Sequence, residues 1–147
     1  MTRAKNRPYP HLLPESVAIW ERFLALYPDR YTHFDYDVRV GQGNPVPDDL
    51  PDNLKKMGRD LSQKRIDAIG YANDHVALIE IATRVNMRCL GQIFAYPVLY
   101  ANDYHPGRPI RTLVVCEELP PDAETVLTAH KVPYVQIYPD GTFIERL

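Results

Sequence analysis

Apolar and polar positions along this chain repeat with a period near four, then two, then four again, and proline marks most of the changes. After Pro14, residues Val17, Trp20, Phe23, Leu24 and Tyr27 recur at helical spacing until Pro28, which predicts a helix from about Glu15 to Tyr27. The segment THFDYDVRV then alternates strictly. It predicts a half-buried strand with Phe34, Tyr36, Val38 and Val40 on one face and His33, Asp35, Asp37 and Arg39 on the other. Three prolines and three glycines follow in a polar stretch, so residues 41–63 are expected to form a long loop with one helical turn near Leu54 to Met57.

The stretch RIDAIGYANDHVALIEIATR predicts two short strands around a tight turn. Beyond it, Met87, Leu90, Ile93, Phe94, Val98 and Leu99 keep helical spacing, with Asn86 as the cap and Pro97 expected to kink the helix. IRTLVVC suits a strand buried on both faces, PPDAETVLTAH a short helix, and PYVQIY with TFIERL a closing pair of strands around Pro139-Asp140-Gly141. The order is α-β-β-β-α-β-α-β-β. The fold class is therefore α/β (α+β in arrangement), a single domain over residues 14–147 with a central mixed sheet flanked by helices, preceded by an extended, proline-rich basic arm at 1–13.

Composition fits one ordinary domain. The 147 residues suffice for a core without disulfide or metal staples, 45% are hydrophobic and 24% charged, and no apolar run approaches a membrane span. No secretory or transit pattern is visible, and Cys89 and Cys116 form no CxxC or Cys/His spacing, which points to a reducing, cytoplasmic setting. His11, His33, His75, His105 and His130 are scattered singly, each more often structural than a ligand. The formal net charge of −2 gives no global attraction to nucleic acid, so any such contact falls to local clusters. These are Arg3, Lys5 and Arg7 in the arm, and Lys55, Lys56, Arg59, Lys64 and Arg65. Ten tyrosines and the arm suit protein partners or a homo-oligomer.

The tight turn has a chemical consequence. A two-residue loop at Asn73-Asp74, where Asn and Asp tolerate positive φ, sets the register so that Asp67 faces Glu80 and Arg65 faces Ala82. Facing Cβ atoms lie about 4.5–5.5 Å apart, so two carboxylates share one face and repel. Either a divalent cation such as Mg²⁺ or a guanidinium offsets that repulsion, and both Arg65 and Arg84 have the right parity. A plain Asp/Glu/Arg ion-pair cluster without chemistry has the same pattern.

In this order, Arg65-Ile66-Asp67 in one strand, Glu80-Ile81-Ala82 in the next, and Gln92-Ile93-Phe94-Ala95-Tyr96 in the following helix, the chain resembles the PD-(D/E)XK nuclease superfamily, its RecB-like branch above all. The likeness covers about residues 14–118. It implies a restriction-endonuclease-like αβββαβ core, to which this chain adds a C-terminal helix and strands. It also implies Mg²⁺ or Mn²⁺ held by Asp67 and Glu80, with Gln92 and Tyr96 facing the same cleft. The first helix, WERFLALYP, is similar to that of small head-completion nucleases of tailed phages, and it offers Glu21, with Glu15 as the other candidate, to complete the site.

Ala82 departs from the pattern, standing where the superfamily has lysine. Lys64, Arg65 and Arg84 are the candidate substitutes, although an arginine stays protonated and cannot serve as a base. Two readings follow. The first is a catalytically degenerate module for binding or assembly, such as a tailed-phage head or tail component or a subunit of a nucleic-acid complex, placed in the virion if of phage origin. The second is an active metal-dependent deoxyribonuclease with a relocated basic residue. The missing lysine leans the expectation toward no enzyme.

Overall fold

The computed structural model describes Tyr9 and residues 11–147, with the backbone alone for 59–62. Within them the elements run α1 (Pro14–Leu26), β1 (His33–Val40), α2 (Asp52–Ser62), β2 (Lys64–Tyr71), β3 (Val76–Arg84), α3 (Met87–Asp103), β4 (Ile110–Glu118), α4 (Pro121–Ala129), β5 (Tyr134–Ile137) and β6 (Phe143–Arg146). One six-stranded sheet has the order β1-β2-β3-β4-β5-β6. β1, β2 and β3 pair antiparallel, β3, β4 and β5 parallel, and β5 and β6 antiparallel. The parallel steps use α3 and α4 as crossovers, the length that a return to the same end of a sheet demands. This is a single α/β domain with a mixed sheet, and its α1β1β2β3α3β4 core is consistent with the restriction-endonuclease-like arrangement.

The core lies in two layers on the sheet. On one face, Ile19, Trp20 and Phe23 of α1 pack against Ala77, Ile79 and Ile81 of β3 and Leu113 and Val115 of β4. Trp20 and Phe23 are fully buried and their rings stack 5.1 Å apart; burying each stabilises the fold by about 1.5–3 kcal/mol. The indole is not left unpaired, because Trp20 Nε1–H donates to the Tyr36 hydroxyl at 3.1 Å. On the other face, Cys89, Leu90 and Ile93 of α3 and Ala123 and Leu127 of α4 cover Val114 and Cys116 of β4. Both faces of β4 are thus covered, which accounts for its unbroken apolar run.

Three expectations are corrected. The 41–63 stretch holds an eleven-residue helix, α2, rather than a single turn. Its Gly58 suggests a break in the sequence, but serves a close approach: a Cβ there would stand 2.8 Å from Val46 Cγ1, so the loop before the helix rests on the bare glycine. Second, β1 does not keep one apolar face. Phe34 and Tyr36 pack with the α1 layer, whereas Val38 and Val40 pack with Tyr96 and Tyr100 of α3. Asp37, between them, has φ +54°, and this left-handed residue turns the strand over. Third, the Asn73-Asp74 turn closes by Ala72 N–H donating to His75 O at 3.0 Å, yet neither turn residue takes positive φ.

α3 continues through Pro97 to Asp103, capped at its start by Asn86, whose side chain accepts the Cys89 N–H at 2.9 Å. Of the arm, residues 1–8 and 10 lie outside the described residues; Leu12 is buried and Tyr9 packs against the α1 layer. Among the described residues no helix is long and apolar enough to cross a membrane.

Candidate functional site

The β2–β3 hairpin forms in the expected register, with Ala68 opposite Ile79, Ile69 opposite Leu78, Gly70 opposite Ala77 and Tyr71 opposite Val76. That ladder stops one step short of Asp67 and Glu80. Instead of main chain meeting main chain there, Asp67 Oδ2 accepts the Ile81 N–H at 3.0 Å. The carboxylate takes over a ladder bond that the separating strands no longer make, which holds it beside Glu80 rather than in solvent.

Glu80 is 6% exposed, the one buried polar or charged residue among those described. Its Oε1 is buried with no hydrogen-bond partner. Burial first, and the charge of Asp67 second, push the Glu80 carboxyl far above the ordinary carboxylate range. Burial raises Asp67 as well, against the opposing pull of the Ile81 N–H and of His11. The two acids titrate as one unit, and the pair holds on to a proton.

α3 packs over this pair. Burial, then Glu80, then Asp67, push the Cys89 thiol and the Tyr96 phenol up to about 12, so both stay neutral. Tyr96 is therefore in the environment of the acids, as expected, and is itself buried. Gln92, one turn earlier, is half-buried and makes no hydrogen bond to either acid among the described residues.

The remaining sequence candidates lie elsewhere. Glu21 is exposed, on a helix that packs against the odd-numbered face of β3, while Glu80 is on the even-numbered face under α3; Glu15 is exposed on the same helix. The β2–β3 pairing ends before Arg65 and Ala82. Arg65 lies opposite Arg39 of β1, and its guanidinium pairs with Asp37 at 3.3 Å. Arg84 pairs with Glu118 at 2.9 Å, and Lys64 is exposed opposite Val40. Neither arginine bridges the acids, because each has a nearer carboxylate of its own. Ala82 pairs with Cys116 of β4 and packs, half-buried, with the α3–α4 layer. In the proposed nucleic-acid cluster, Lys56, Lys64 and Arg65 are exposed, Lys55 is half-buried, and the Arg59 side chain lies outside the described residues.

Two neighbours of the pair were not among the sequence candidates. His11 places Nε2 3.0 Å from the Asp67 carbonyl oxygen. A carbonyl only accepts, so Nε2 carries the hydrogen and pins the end of the arm to the site. Asp37 adds a second negative charge near Asp67, raising its pKa further. Its left-handed φ, uncommon outside glycine but tolerated by aspartate, is the one sign of special geometry in β1. Nothing in the spacing of His11 points to β2, and Asp37 looked like one polar residue of an alternating strand.

Among the described residues no group of three His, Cys, Asp or Glu side chains is placed to hold a metal ion. The donor set at hand is two carboxylates, one oxygen of which has no partner. That set fits Mg²⁺ or Mn²⁺, which take oxygen ligands, keep several waters, and commonly bind one or two carboxylates together with substrate phosphate.

No family model and no curated protein matches the chain. Among solved structures it is similar to a repair endonuclease from Pyrococcus abyssi, at 14% identity and a TM-score of 0.49 over 88% of this chain and 50% of that one. It is likewise similar to EndoMS in a complex with double-stranded DNA, at 14% identity and a TM-score of 0.49 over 90% of this chain and 49% of that one. The chain thus spans about half the length of these structures.

Proposed function

We propose that the chain is a metal-dependent nuclease: Asp67 and Glu80 hold a divalent cation, Mg²⁺ or Mn²⁺, and act there on a phosphodiester of DNA. The observation that carries this reading is the acid pair itself, a half-buried Asp67 beside a buried Glu80, with an orphaned Glu80 oxygen and no guanidinium between the carboxylates. Acids placed this closely in a buried setting are costly unless a proton or a cation offsets them, and a structural ion-pair cluster would have spent Arg65 or Arg84 on them. A bound divalent cation would supply charge to stabilise the phosphate and to lower the pKa of a water.

The protein's own contributions are positional. The Ile81 N–H fixes Asp67, α3 shuts water away from the rear of Glu80, and His11 holds the arm against the strand that carries Asp67. Lys56 and Lys64 are exposed and available to the DNA backbone.

The second reading, a binding or assembly module without catalysis in a virion or a nucleic-acid complex, is favoured by Ala82, which brings neither charge nor proton. One experiment separates the two. Purified protein is titrated with Mn²⁺ by calorimetry and incubated with supercoiled plasmid and linear DNA, beside Asp67→Asn and Glu80→Gln. The expected outcome is Mn²⁺ binding together with nicking or trimming, both lost in the variants. Binding without cleavage of either DNA favours the module, and no binding at millimolar Mn²⁺ rejects the metal site altogether.

A further inference from the structure

A second site stands at the end of the sheet where β3, β4 and β5 begin. There a cavity of about 730 Å³ is lined by Arg30, Arg111, Lys131, Arg146, His75 and His130, with no Asp or Glu side chain in its walls. The chain as a whole has more acids than cations, 19 against 17, so a lining with basic side chains and no acidic side chain is not its average surface, although the main chain of Leu147 also borders it. Among the described residues none of the four permanent cations sits within ion-pair distance of a carboxylate. Asp74 is bonded to His75 at 2.7 Å and feels Arg111 only at longer range.

Other features show that these cations are placed rather than left over. Arg30 is held over the rings of Tyr27 and Tyr31, 5.6 and 5.9 Å from their centroids, and its Nε–H donates to the Tyr31 hydroxyl at 3.4 Å. Lys131 follows the end of α4 with φ +54°. Its N–H donates to Thr128 O at 3.1 Å and the Val132 N–H to Leu127 O at 2.9 Å, the helix-ending motif whose left-handed position glycine usually fills. A lysine there keeps its charge at the cavity despite the backbone conformation. Thr112 and Thr128 add polar lining, and Tyr31, Tyr134 and Leu113 an apolar floor.

We infer that this cavity is a binding site for a phosphate-bearing ligand of nucleotide size, distinct from the acid pair. Its volume lies within the range of small-molecule sites, and the fork of an arginine matches phosphate oxygens. The phosphate comes either from a free nucleotide or from a nucleic-acid backbone, and the experiment tells these sources apart.

The wild-type protein, in EDTA so that no metal contributes, is titrated with inorganic pyrophosphate, with ATP and with a short DNA duplex. Arg111→Glu, Arg30→Glu, Arg88→Glu and Glu80→Gln are run beside it, each checked for folding by circular dichroism. The expected result is saturable binding of ATP and pyrophosphate, weakened at least tenfold by Arg111→Glu and by Arg30→Glu and within twofold of wild type in Arg88→Glu and Glu80→Gln. Binding of the duplex alone, with the same loss in the cavity variants, identifies the backbone as the source. No binding of any probe at millimolar concentration, or binding that both cavity variants leave unchanged, overturns the inference. Since Glu80→Gln disables only the acid pair, failure of the nuclease reading leaves this result intact.

Discussion

Glu80 shows how much a single residue reveals about its own use. Its folded-state pKa stands far above the ordinary 4.5, raised by burial first and by the charge of Asp67 second, so the folded chain keeps a proton that the unfolded chain has already lost. The folded state then binds more protons, and the contribution of this group to metal-free stability falls as pH rises above 4.5 toward the raised folded-state pKa. Glu80→Gln removes the effect. In EDTA it is expected to melt close to wild type at pH 5 and several degrees above it at pH 8, each kcal/mol being worth about 2–4 °C in a chain of this size. Thermal unfolding followed by circular dichroism at the two pH values checks this, and a variant less stable than wild type at pH 8 contradicts it. Added Mn²⁺ should raise the wild-type midpoint at pH 8 and leave the variant where it was. The facing of Asp67 and Glu80 was legible because turn length fixes register. His11 and Asp37 were not, since the one depends on where an arm docks and the other on the β1–β2 pairing, and neither leaves a periodic trace.

At the scale of elements, end signals were easier to read than interiors. Asn86 before α3 and the prolines that open α1 and α4 are local chemistry, and all three helices start at those residues. Asn86→Ala should lower stability by about 1 kcal/mol, the usual worth of a side-chain cap, read as a drop of about 2–4 °C in the melting midpoint. α2 was missed because its polar sequence and Gly58 argue against a helix when Val46 is not in view. The face change in β1 was missed for a related reason: alternation assumes an even pleat, and Asp37 breaks it. The helix-ending lysine of α4 offers the converse test. Lys131→Gly relieves a left-handed backbone and should stabilise the fold by about 1 kcal/mol while weakening pyrophosphate binding, and a gain in one without loss in the other would separate the backbone role of Lys131 from its charge.

For the molecule as a whole, the layered architecture decides how far the two sites can speak to each other. The cavity uses Ala77 at the start of β3, and Glu80 comes three residues later, about 10 Å along the strand and on its opposite face. Between them lies the close-packed part of the sheet, with Leu78 and Ile79 fully or nearly buried. Gly70 shows how tight that part is, since a Cβ on it would meet the Tyr31 ring at 2.8 Å. Side chains closed around the sheet in this way keep the two sites apart, each with its own set of polar groups. Removing Arg111 and removing the charge of Glu80 should therefore be additive. In the Arg111→Glu variant, Mn²⁺ affinity at the acid pair is expected to stay within about twofold of wild type, and the stability changes of the double variant to sum within about 0.5 kcal/mol. Calorimetry and thermal unfolding of the two single variants and the double measure both quantities. A change in Mn²⁺ affinity of tenfold or more would mean that the acids and the basic cavity work as one site after all.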